Sequence, residues 1–201
     1  FTATEYANDR PVLSTGDSSD YYIQSVSVKE ITGMPGTSFE YTVTDESNND
    51  SASVEVVISS GNDTVVGNEQ DNIISGGPGN DILTGGAGTD IFVWNAGDEG
   101  VAGAPAMDIV TDFNIAEGDV LDFSDILVGE ESGNLTDFIS ITEDGSDIVI
   151  ELKPDATDVT QIVTLQGKSL VDLGLGGFDT STQQAEMINK LVQDGHVSVD
   201  S

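Results

Sequence analysis

The sequence predicts a mainly β protein built around a short parallel β-roll, with flanking strands and one amphipathic helix near the C-terminus. Three observations lead to this fold class. Residues 58–93 fall into four nine-residue registers, ISSGNDTVV, GNEQDNIIS, GGPGNDILT and GGAGTDIFV. On both sides of them, apolar residues alternate with polar ones, as in half-buried strands. Residues 181–195 instead space their apolar residues along one face of a helix.

Each nine-residue repeat combines a small polar residue at its sixth position with a large apolar residue at its eighth. The sixth-position residues are Asp63, Asn72, Asp81 and Asp90, and the eighth-position residues are Val65, Ile74, Leu83 and Phe92. The first six residues predict a tight turn, in which glycines tolerate positive φ and let backbone carbonyls point inward. The last three predict a short strand whose eighth side chain faces the interior. Two repeats then close one turn, so Asp63 stacks on Asp81, and Asn72 stacks on Asp90, about 4.8 Å apart.

Carboxylates stacked this closely favour a cation between them. At an effective dielectric near 20, like charges about 4 Å apart cost on the order of 4 kcal/mol. Calcium suits the site because it accepts many oxygens in irregular geometry, whereas magnesium requires a near-ideal octahedron. We predict one ion in each stack, with weaker binding in the Asn72 stack because an amide replaces a carboxylate. The predicted metal-site residues of the repeats are Asp63, Asn72, Gly76, Pro78, Asn80, Asp81, Gly85, Ala87, Thr89 and Asp90. The alternative is ordinary turn chemistry of Gly, Asn and Asp, which is stronger for residues 58–75, where glycines are missing.

Two of the registers, residues 76–84 and 85–93, match the pattern G-G-x-G-x-D-x-U-x in full. This pattern resembles the calcium-binding nonapeptide repeat of RTX proteins. The resemblance implies a right-handed parallel β-roll, the RTX β-helix, with calcium as its cofactor.

The segment after the repeats, MDIVTDFNIAEGDVLDFSDIL at residues 107–127, resembles the segment that follows the repeats in proteins exported by bacterial type I secretion systems. The counterparts are an Asp-x-Ile-x-Asp-Phe strand at 108–113, a Gly-Asp turn at 118–119 and a helical turn at 121–127. The resemblance implies that Asp98, Glu99 or Asp108 binds a further calcium. Solvated loop carboxylates are the alternative.

The overall charge is strongly negative. Five Lys and Arg stand against 37 Asp and Glu, a formal net charge of −32. This excess argues against nucleic acid or an anionic membrane as a partner and favours divalent cations. A salt-adapted acidic surface, as in a marine protein, is the alternative. The chain has no cysteine, so calcium is the available substitute for disulfides.

The sequence shows neither an apolar run long enough to span a membrane nor a start that resembles a signal peptide. We therefore expect no membrane insertion. We also expect the chain to be a monomer and to be a piece of a longer protein. The predicted organisation has four parts. They are a β-rich end of an immunoglobulin-like or cadherin-like extender region, or an N-terminal cap of the roll, at 1–57; the roll at 58–93; a capping β-extension at 94–180; and a C-terminal helix with the secretion signal at 181–201.

Residues 7–12, ANDRPV, resemble the Asn-Asp-x-Pro linkers between tandem repeats of bacterial surface proteins. The resemblance implies that Asn8 and Asp9 help to bind interdomain calcium, and a solvated turn is the alternative. We further expect a strand pair within 22–31, a hairpin that joins strands 39–44 and 54–58, and a loop at 94–105 that covers the end of the roll.

Beyond the loop, a hairpin of 138–142 with 147–152 and a strand at 161–165 are predicted. A capping box at 181–184 predicts a helix with its apolar face at Ala185, Ile188, Leu191 and Val192, an ion pair of Glu186 with Lys190, and an end at Gly195. Type I substrates carry an uncleaved export signal in their last tens of residues, and the resemblance implies that this helix is part of it. A helix that packs on the sheet is the alternative.

No catalytic centre is expected, since the chain has a single histidine, His196, and no cysteine. We expect a calcium-dependent folding and type I secretion module of a large surface adhesin of a Gram-negative, marine bacterium, unfolded at cytosolic calcium and folded outside. The secretion machinery would be a transient partner. One alternative is a calcium-dependent module that binds glycan, peptide or ice; position nine of the repeats lacks the threonine array that ice-binding requires. Another is the C-terminal RTX domain of a secreted hydrolase whose catalytic domain is absent.

Overall fold

The computed structural model describes residues 61–127 and 134–199 with their side chains. Before them it describes the backbone of residues 12–13, 21–22, 25–30, 39–44 and 54–57. The chain divides into two compact units, Phe1–Asp50 and Ser51–Ser201.

The first unit contains two antiparallel strand pairs. Strand β1 (Val12–Leu13) pairs with β2 (Tyr21–Tyr22), and β3 (Ser25–Glu30) pairs with β4 (Phe39–Thr44). The hairpin predicted between 39–44 and 54–58 is therefore wrong, because β4 takes β3 as its partner. The strand pair expected within 22–31 is also wrong, because β2 pairs with β1 and β3 pairs with β4. Asn8 and Asp9 lie outside the described residues.

The repeats of the second unit alternate between two parallel sheets. Their strands are β5 (Val54–Val57), β6 (Thr64–Val66), β7 (Asn72–Ser75), β8 (Ile82–Thr84) and β9 (Ile91–Val93). Thr64 pairs with Ile82 across β6 and β8, and Ile73 pairs with Ile91 across β7 and β9. Both pairs join residues one turn apart, so the predicted coil of two repeats is confirmed. Strand β5 pairs with β7 in the same parallel sense, which places it in the roll.

Both sheets continue beyond the repeats. The later strands are β10 (Ala106–Val110), β11 (Val120–Asp122), β12 (Ile139–Asp144), β13 (Asp147–Leu152), β14 (Gln161–Leu165) and β15 (Val197–Ser198). One sheet has the order β12-β13-β14-β10-β8-β6, and the other has the order β15-β11-β9-β7-β5. The predicted β12–β13 hairpin and β14 strand are confirmed. The loop at 94–105 was expected to cover the end of the roll. It does not end the roll, because β10, which follows the loop, pairs directly with β8.

The interior is formed by the eighth position of each repeat. Val65, Ile74, Leu83 and Phe92 are each at most 2% exposed. Burying a side chain of this size contributes about 1.5–3 kcal/mol. Aromatic residues that follow strands β9, β10 and β11 extend the same core. Phe92 lies 6.3 Å from Phe113, and Trp94 lies 5.0 Å from Phe123, between ring centroids. The period of the sequence therefore identifies the core of the repeats correctly.

Two helices are described. The short helix α1 covers Leu135–Phe138, and α2 covers Gln184–Gln193. Met187, Ile188 and Leu191 of α2 are buried. The helix packs against α1, β12 and β15, and these two strands are the outer strands of the two sheets. The alternative of a helix packed on the sheet is thus observed, and the export signal stays a prediction. Neither helix in residues 61–127 and 134–199 has the length and apolar character to cross a membrane.

The predicted capping box of α2 is wrong. The helix begins at Gln184, and its N-cap residue, Gln183, makes no side-chain capping bond. Instead, the backbone N–H of Ile141 in β12 donates to Gln184 Oε1 at 2.8 Å, and Gln184 Nε2 donates to the Ile141 carbonyl at 2.6 Å. The side chain thus acts as a substitute strand partner at the sheet edge. Lys190 pairs with Asp194 and not with the predicted Glu186, so this prediction is also wrong.

Candidate metal centre

Each complete repeat folds its sixth-position carboxylate back over its own first glycine. A Cβ atom added at Gly76 would collide with Oδ2 of Asp81, and one added at Gly85 would collide with Oδ2 of Asp90. Only glycine leaves room for a carboxylate at these places. The repeat therefore requires glycine at its first position in order to cradle an anionic oxygen.

Asp63 and Asp81 stack as the period predicts. The backbone N–H of Asp63 donates to Oδ1 of Asp81 at 2.8 Å. Both side chains are buried, with 8% and 1% exposed. Among the described residues, Oδ2 of Asp63 and Oδ2 of Asp81 have no hydrogen-bond partner. Buried anionic oxygens without a donor are costly, so this pair fits a cation that contacts both.

The protonation of these carboxylates is strongly perturbed. The pKa of Asp81 is raised to about 7, mainly by burial and also by the charges of Asp108, Asp63 and Asp98, while the N–H bond from Asp63 lowers it. Burial also raises the pKa of Asp63. For Asp90, burial raises the pKa to about 6. The stacked carboxylates therefore favour a proton when no cation is bound, and a divalent ion compensates the same cost at neutral pH.

Asn72 and Asp90 form the second stack. The backbone N–H of Asn72 donates to Oδ1 of Asp90 at 2.9 Å. Asn72 Oδ1 already accepts the N–H of Asn68 at 2.7 Å. A Cβ atom at Gly67 would collide with both Asn72 Oδ1 and the Gly85 carbonyl oxygen, so these two oxygens converge. One carboxylate here replaces the two of the first stack, and weaker calcium binding at this stack stays a prediction.

The predicted carbonyl ligands lie in the turns between the strands. Among the described residues, the carbonyl oxygens of Gly76, Asn80, Gly85, Ala87 and Thr89 accept no hydrogen bond, which leaves them available to a cation. The Pro78 carbonyl is different, because it accepts the N–H of Gly61 at 2.8 Å.

The side chain at position five of each repeat aligns neighbouring turns. Asn80 N–H donates to Asn62 Oδ1 at 3.0 Å, and Thr89 N–H donates to Asp71 Oδ1 at 2.8 Å. The turns are thus joined by side chains as well as by strands.

Asp98 and Asp108 are surrounded by N–H donors. Asp108 Oδ1 accepts the Asp81 N–H at 2.7 Å, and its Oδ2 accepts Trp94 Nε1–H at 2.7 Å and Gln161 Nε2–H at 2.8 Å. Asp98 Oδ2 accepts the N–H of Asn95 at 2.8 Å. In the described part of the chain, no group of three or more His, Cys, Asp or Glu side chains is arranged to hold a metal. Metal binding by Asp98 and Asp108 therefore stays a prediction.

Glu99, the remaining loop candidate, has an Oε2 atom that accepts the N–H of Gly97 at 2.8 Å. This bond closes a local turn and leaves its metal role a prediction as well.

Sequence reasoning missed two residues at the end of the repeats, Asp112 and Asp119. Asp119 accepts the Asp90 N–H at 3.0 Å, just as Asp90 accepts the Asn72 N–H one turn earlier. Asp112 accepts the N–H groups of Gly85 and Gly86. Both residues were visible in the Asp-x-Ile-x-Asp-Phe and Gly-Asp patterns. They were missed because they lie 27 and 29 residues after Gly85 and Asp90, outside the 18-residue period.

Searching curated protein sequences found no match to this chain. Solved structures with similarity to it include the solution structures of two subunits of the Azotobacter vinelandii mannuronan C5-epimerase. For the AlgE6R3 subunit the identity is 22% and the TM-score 0.41, over 64% of this chain and 81% of that one. For the AlgE6R2 subunit the values are 22% and 0.39, over 55% and 74%.

The family model of the RTX calcium-binding nonapeptide repeat matches residues 58–92 in four copies. This match covers both stacks and the glycine turns that cradle them. Residues 58–92 are thus RTX nonapeptide repeats, and calcium is the ion that such repeats bind.

Proposed function

We propose that this chain is a calcium-dependent folding module that passes through a type I secretion system and folds outside the cell. The observation that carries the proposal is a pair of buried oxygens, Oδ2 of Asp63 and Oδ2 of Asp81, which have no hydrogen-bond partner within the described part of the chain. These two oxygens lie where one coil packs against the next. The stack is therefore unfavourable at neutral pH without a cation and favourable with one.

Calcium concentration then acts as the switch. Extracellular calcium modules have dissociation constants of roughly 0.1–1 mM. Binding stabilises the folded state in proportion to the logarithm of ligand concentration over the dissociation constant. At cytosolic calcium this term is negligible, and a chain with a net charge of −32 is left with its self-repulsion. Outside the cell the ions enter the coils and the module folds.

A calcium titration tests this proposal. We expect the chain to have little β-structure in a chelator and to gain it cooperatively as calcium rises, as measured by circular dichroism and calorimetry. Magnesium at the same concentration is the control and should not fold it, because it cannot occupy an irregular oxygen site. A chelated sample with the same cooperative melt as the calcium-loaded one would overturn the proposal.

Export by a type I system is the second part of the proposal and needs its own experiment. The packing of α2 and β15 makes residues 181–199 part of the fold, so deletion of 181–201 should also damage calcium-driven folding. The assay is therefore done in calcium-free medium, where folding does not contribute. The full chain should leave the cell and the deletion variant should stay inside. Normal export of the deletion variant would reject the signal.

We place the module in a surface adhesin of a Gram-negative, marine bacterium, as a monomer in transient contact with the secretion machinery. The antiparallel pairs β1–β2 and β3–β4 and the linker-like residues 7–12 support an extender region before the roll. The acidic composition supports a saline habitat. The module itself would carry no catalysis, and Nδ1 of its one histidine, His196, lies 3.0 Å from the Asp119 carbonyl oxygen. A hydrolase parent would hold its chemistry elsewhere.

A second candidate function, calcium-dependent binding of a glycan, a peptide or ice, is favoured by the outward face of one sheet. One row crosses all strands of the six-stranded sheet in register: Thr64, Ile82, Ile109, Thr164, Val149 and Thr142. All six side chains are β-branched and uncharged, and they are exposed or half-buried. Such a row in a strongly acidic protein fits an uncharged, flat ligand.

Glycan and peptide arrays and ice affinity test this second candidate with and without calcium. The variant Ile82→Lys with Thr164→Lys should lose binding and keep its calcium-induced circular dichroism, because both side chains point away from the core. If the wild-type chain binds none of these ligands in calcium, the second candidate is dropped.

A further inference from the structure

Asp112, which lies after the repeats in the sequence, hydrogen-bonds the first two residues of the fourth repeat. Its Oδ1 accepts the N–H of Gly85 at 2.9 Å, and its Oδ2 accepts the N–H of Gly86 at 2.8 Å. A planar trans peptide points its N–H and its C=O in opposite directions. The N–H of Gly86 and the carbonyl of Gly85 belong to the same peptide unit. Asp112 therefore fixes the direction of the Gly85 carbonyl.

The Gly85 carbonyl points to the second metal stack. A Cβ atom added at Gly67, in the preceding coil, would meet both the Gly85 carbonyl oxygen and Asn72 Oδ1. The two oxygens therefore lie on the same side of the turn, between the coils. Among the described residues, this carbonyl accepts no hydrogen bond. Its direction is thus set from the opposite end of its peptide unit.

The earlier coil holds the equivalent glycine in another way. The N–H of Gly67 donates to the Thr84 carbonyl of the next coil at 2.8 Å. Gly85 occupies the same place one coil later, and no further nonapeptide follows it in the sequence. The carboxylate of Asp112 takes the place of the missing backbone carbonyl. A charged acceptor also makes a stronger hydrogen bond than a neutral one.

We propose that Asp112 is a positioning residue for the calcium ion of the Asn72–Asp90 stack and acts through the Gly85 carbonyl. Its carboxylate orients the Gly85–Gly86 peptide, and its charge polarises the carbonyl that faces the ion. The inference rests on calcium binding by the repeats, as the proposed function does. Residues that orient a ligand in this way typically change metal affinity by about 10–100-fold.

The experiment compares Asp112→Ala, Asp112→Asn and Asp125→Asn in the full chain by calorimetric calcium titration. Asp125 is exposed, lies in the same segment, and accepts no hydrogen bond from the described residues, so it controls for the lost charge. Asp112→Ala should weaken one ion by about 10-fold or more. Asp112→Asn should weaken it less, because an amide oxygen still accepts one of the two N–H bonds. Asp125→Asn should bind as the wild type does.

A role in stability alone predicts a different result. In that case Asp112→Ala would weaken all ions equally, in proportion to the resistance to urea that it loses in saturating calcium. That outcome, or unchanged binding in Asp112→Ala, would overturn the inference. Amide NMR supplies the direct readout, since the Gly85 and Gly86 proton shifts should move with the weaker ion in the wild type and lose this response in Asp112→Ala. A wild-type chain that binds no calcium would instead reject the proposed function.

Discussion

The backbone N–H of Asp63 donates to Oδ1 of Asp81, eighteen residues later, and the second oxygen of the Asp81 carboxylate is buried without a donor among the described residues. The carboxylate thus serves two purposes. One oxygen aligns the coils, and the other is available to an ion. Asp108 contrasts with it, because both of its oxygens accept N–H groups.

Asp81→Ala should therefore weaken calcium-induced folding more than Asp108→Ala does. Removal of Asp81 takes away a charged ligand and should raise the calcium midpoint by about 10-fold, since affinity follows the count of charged ligands. Asp108→Ala should mainly reduce stability, because it leaves the Asp81 N–H and Trp94 Nε1 without an acceptor. The midpoints are measured by circular dichroism. Equal midpoints in the two variants would contradict the assignment of the ion to the Asp63–Asp81 stack.

Asn72→Asp tests the second stack by a gain of function. The substitution makes the Asn72–Asp90 pair resemble the Asp63–Asp81 pair, with two carboxylates in place of one. Calcium should bind this stack more tightly, and the metal-free protein should become less stable because like charges then face each other. Calorimetry measures the first effect, and circular dichroism of the chelated protein at pH 5, where protonated Asp81 and Asp90 favour folding, measures the second. Asn189→Asp, on the exposed face of α2, adds the same charge away from both stacks and is the matched control. If both variants behave alike, only net charge is being measured.

Gly76→Ala should disrupt the cradle of Asp81. The added methyl would collide with the Asp81 carboxylate and with its Cβ and Cγ atoms. Overpacking of this kind costs about 1–3 kcal/mol. Gly145→Ala is a useful control, because its φ is +66° in open space, so it carries backbone strain without touching a carboxylate. Both variants should lose stability in urea, and Gly76→Ala should lose far more calcium affinity. A calcium affinity as high as that of Gly145→Ala would contradict the cradle.

The metal-free and calcium-bound forms should respond to pH in opposite directions. The pKa of Asp81 is raised to about 7 and that of Asp90 to about 6, while the unfolded chain keeps values near 3.8. The folded metal-free protein therefore binds more protons than the unfolded chain between these values. Its stability should be highest near pH 4 and should fall as pH rises through 6 and 7.

Calcium reverses this dependence because it competes with the same protons. Calcium affinity should drop as the pH falls from 7.5 to 5. The β-structure of the chelated protein, measured by circular dichroism, and the urea resistance of the calcium-loaded protein give the two slopes across this range. Slopes of the same sign would show that Asp81 and Asp90 are not the groups that bind the ion.

The C-terminal half shows how far sequence patterns reach. The β12–β13 hairpin and β14 follow from local alternation and turn residues, and the structure confirms them. The N-terminal end of α2 does not follow from a local pattern. The Gln184 side chain bonds to Ile141, 43 residues away, and the predicted capping box is not formed. A contact of that separation offers no short-range pattern. Strand β5 was likewise assigned to a hairpin, although its partner is β7 of the roll.

By itself the sequence determined the length of each coil, the buried eighth-position residues and the stacking of the sixth-position residues of alternate repeats. These features follow from a nine-residue period, and a period converts directly into local geometry. The tertiary structure decided what ends the repeats. Asp108, Asp112 and Asp119 take over the hydrogen bonds of a missing coil from 27 to 29 residues away. Their positions depend on how β10 and β11 join the two sheets, and only the folded chain brings them to the last turn.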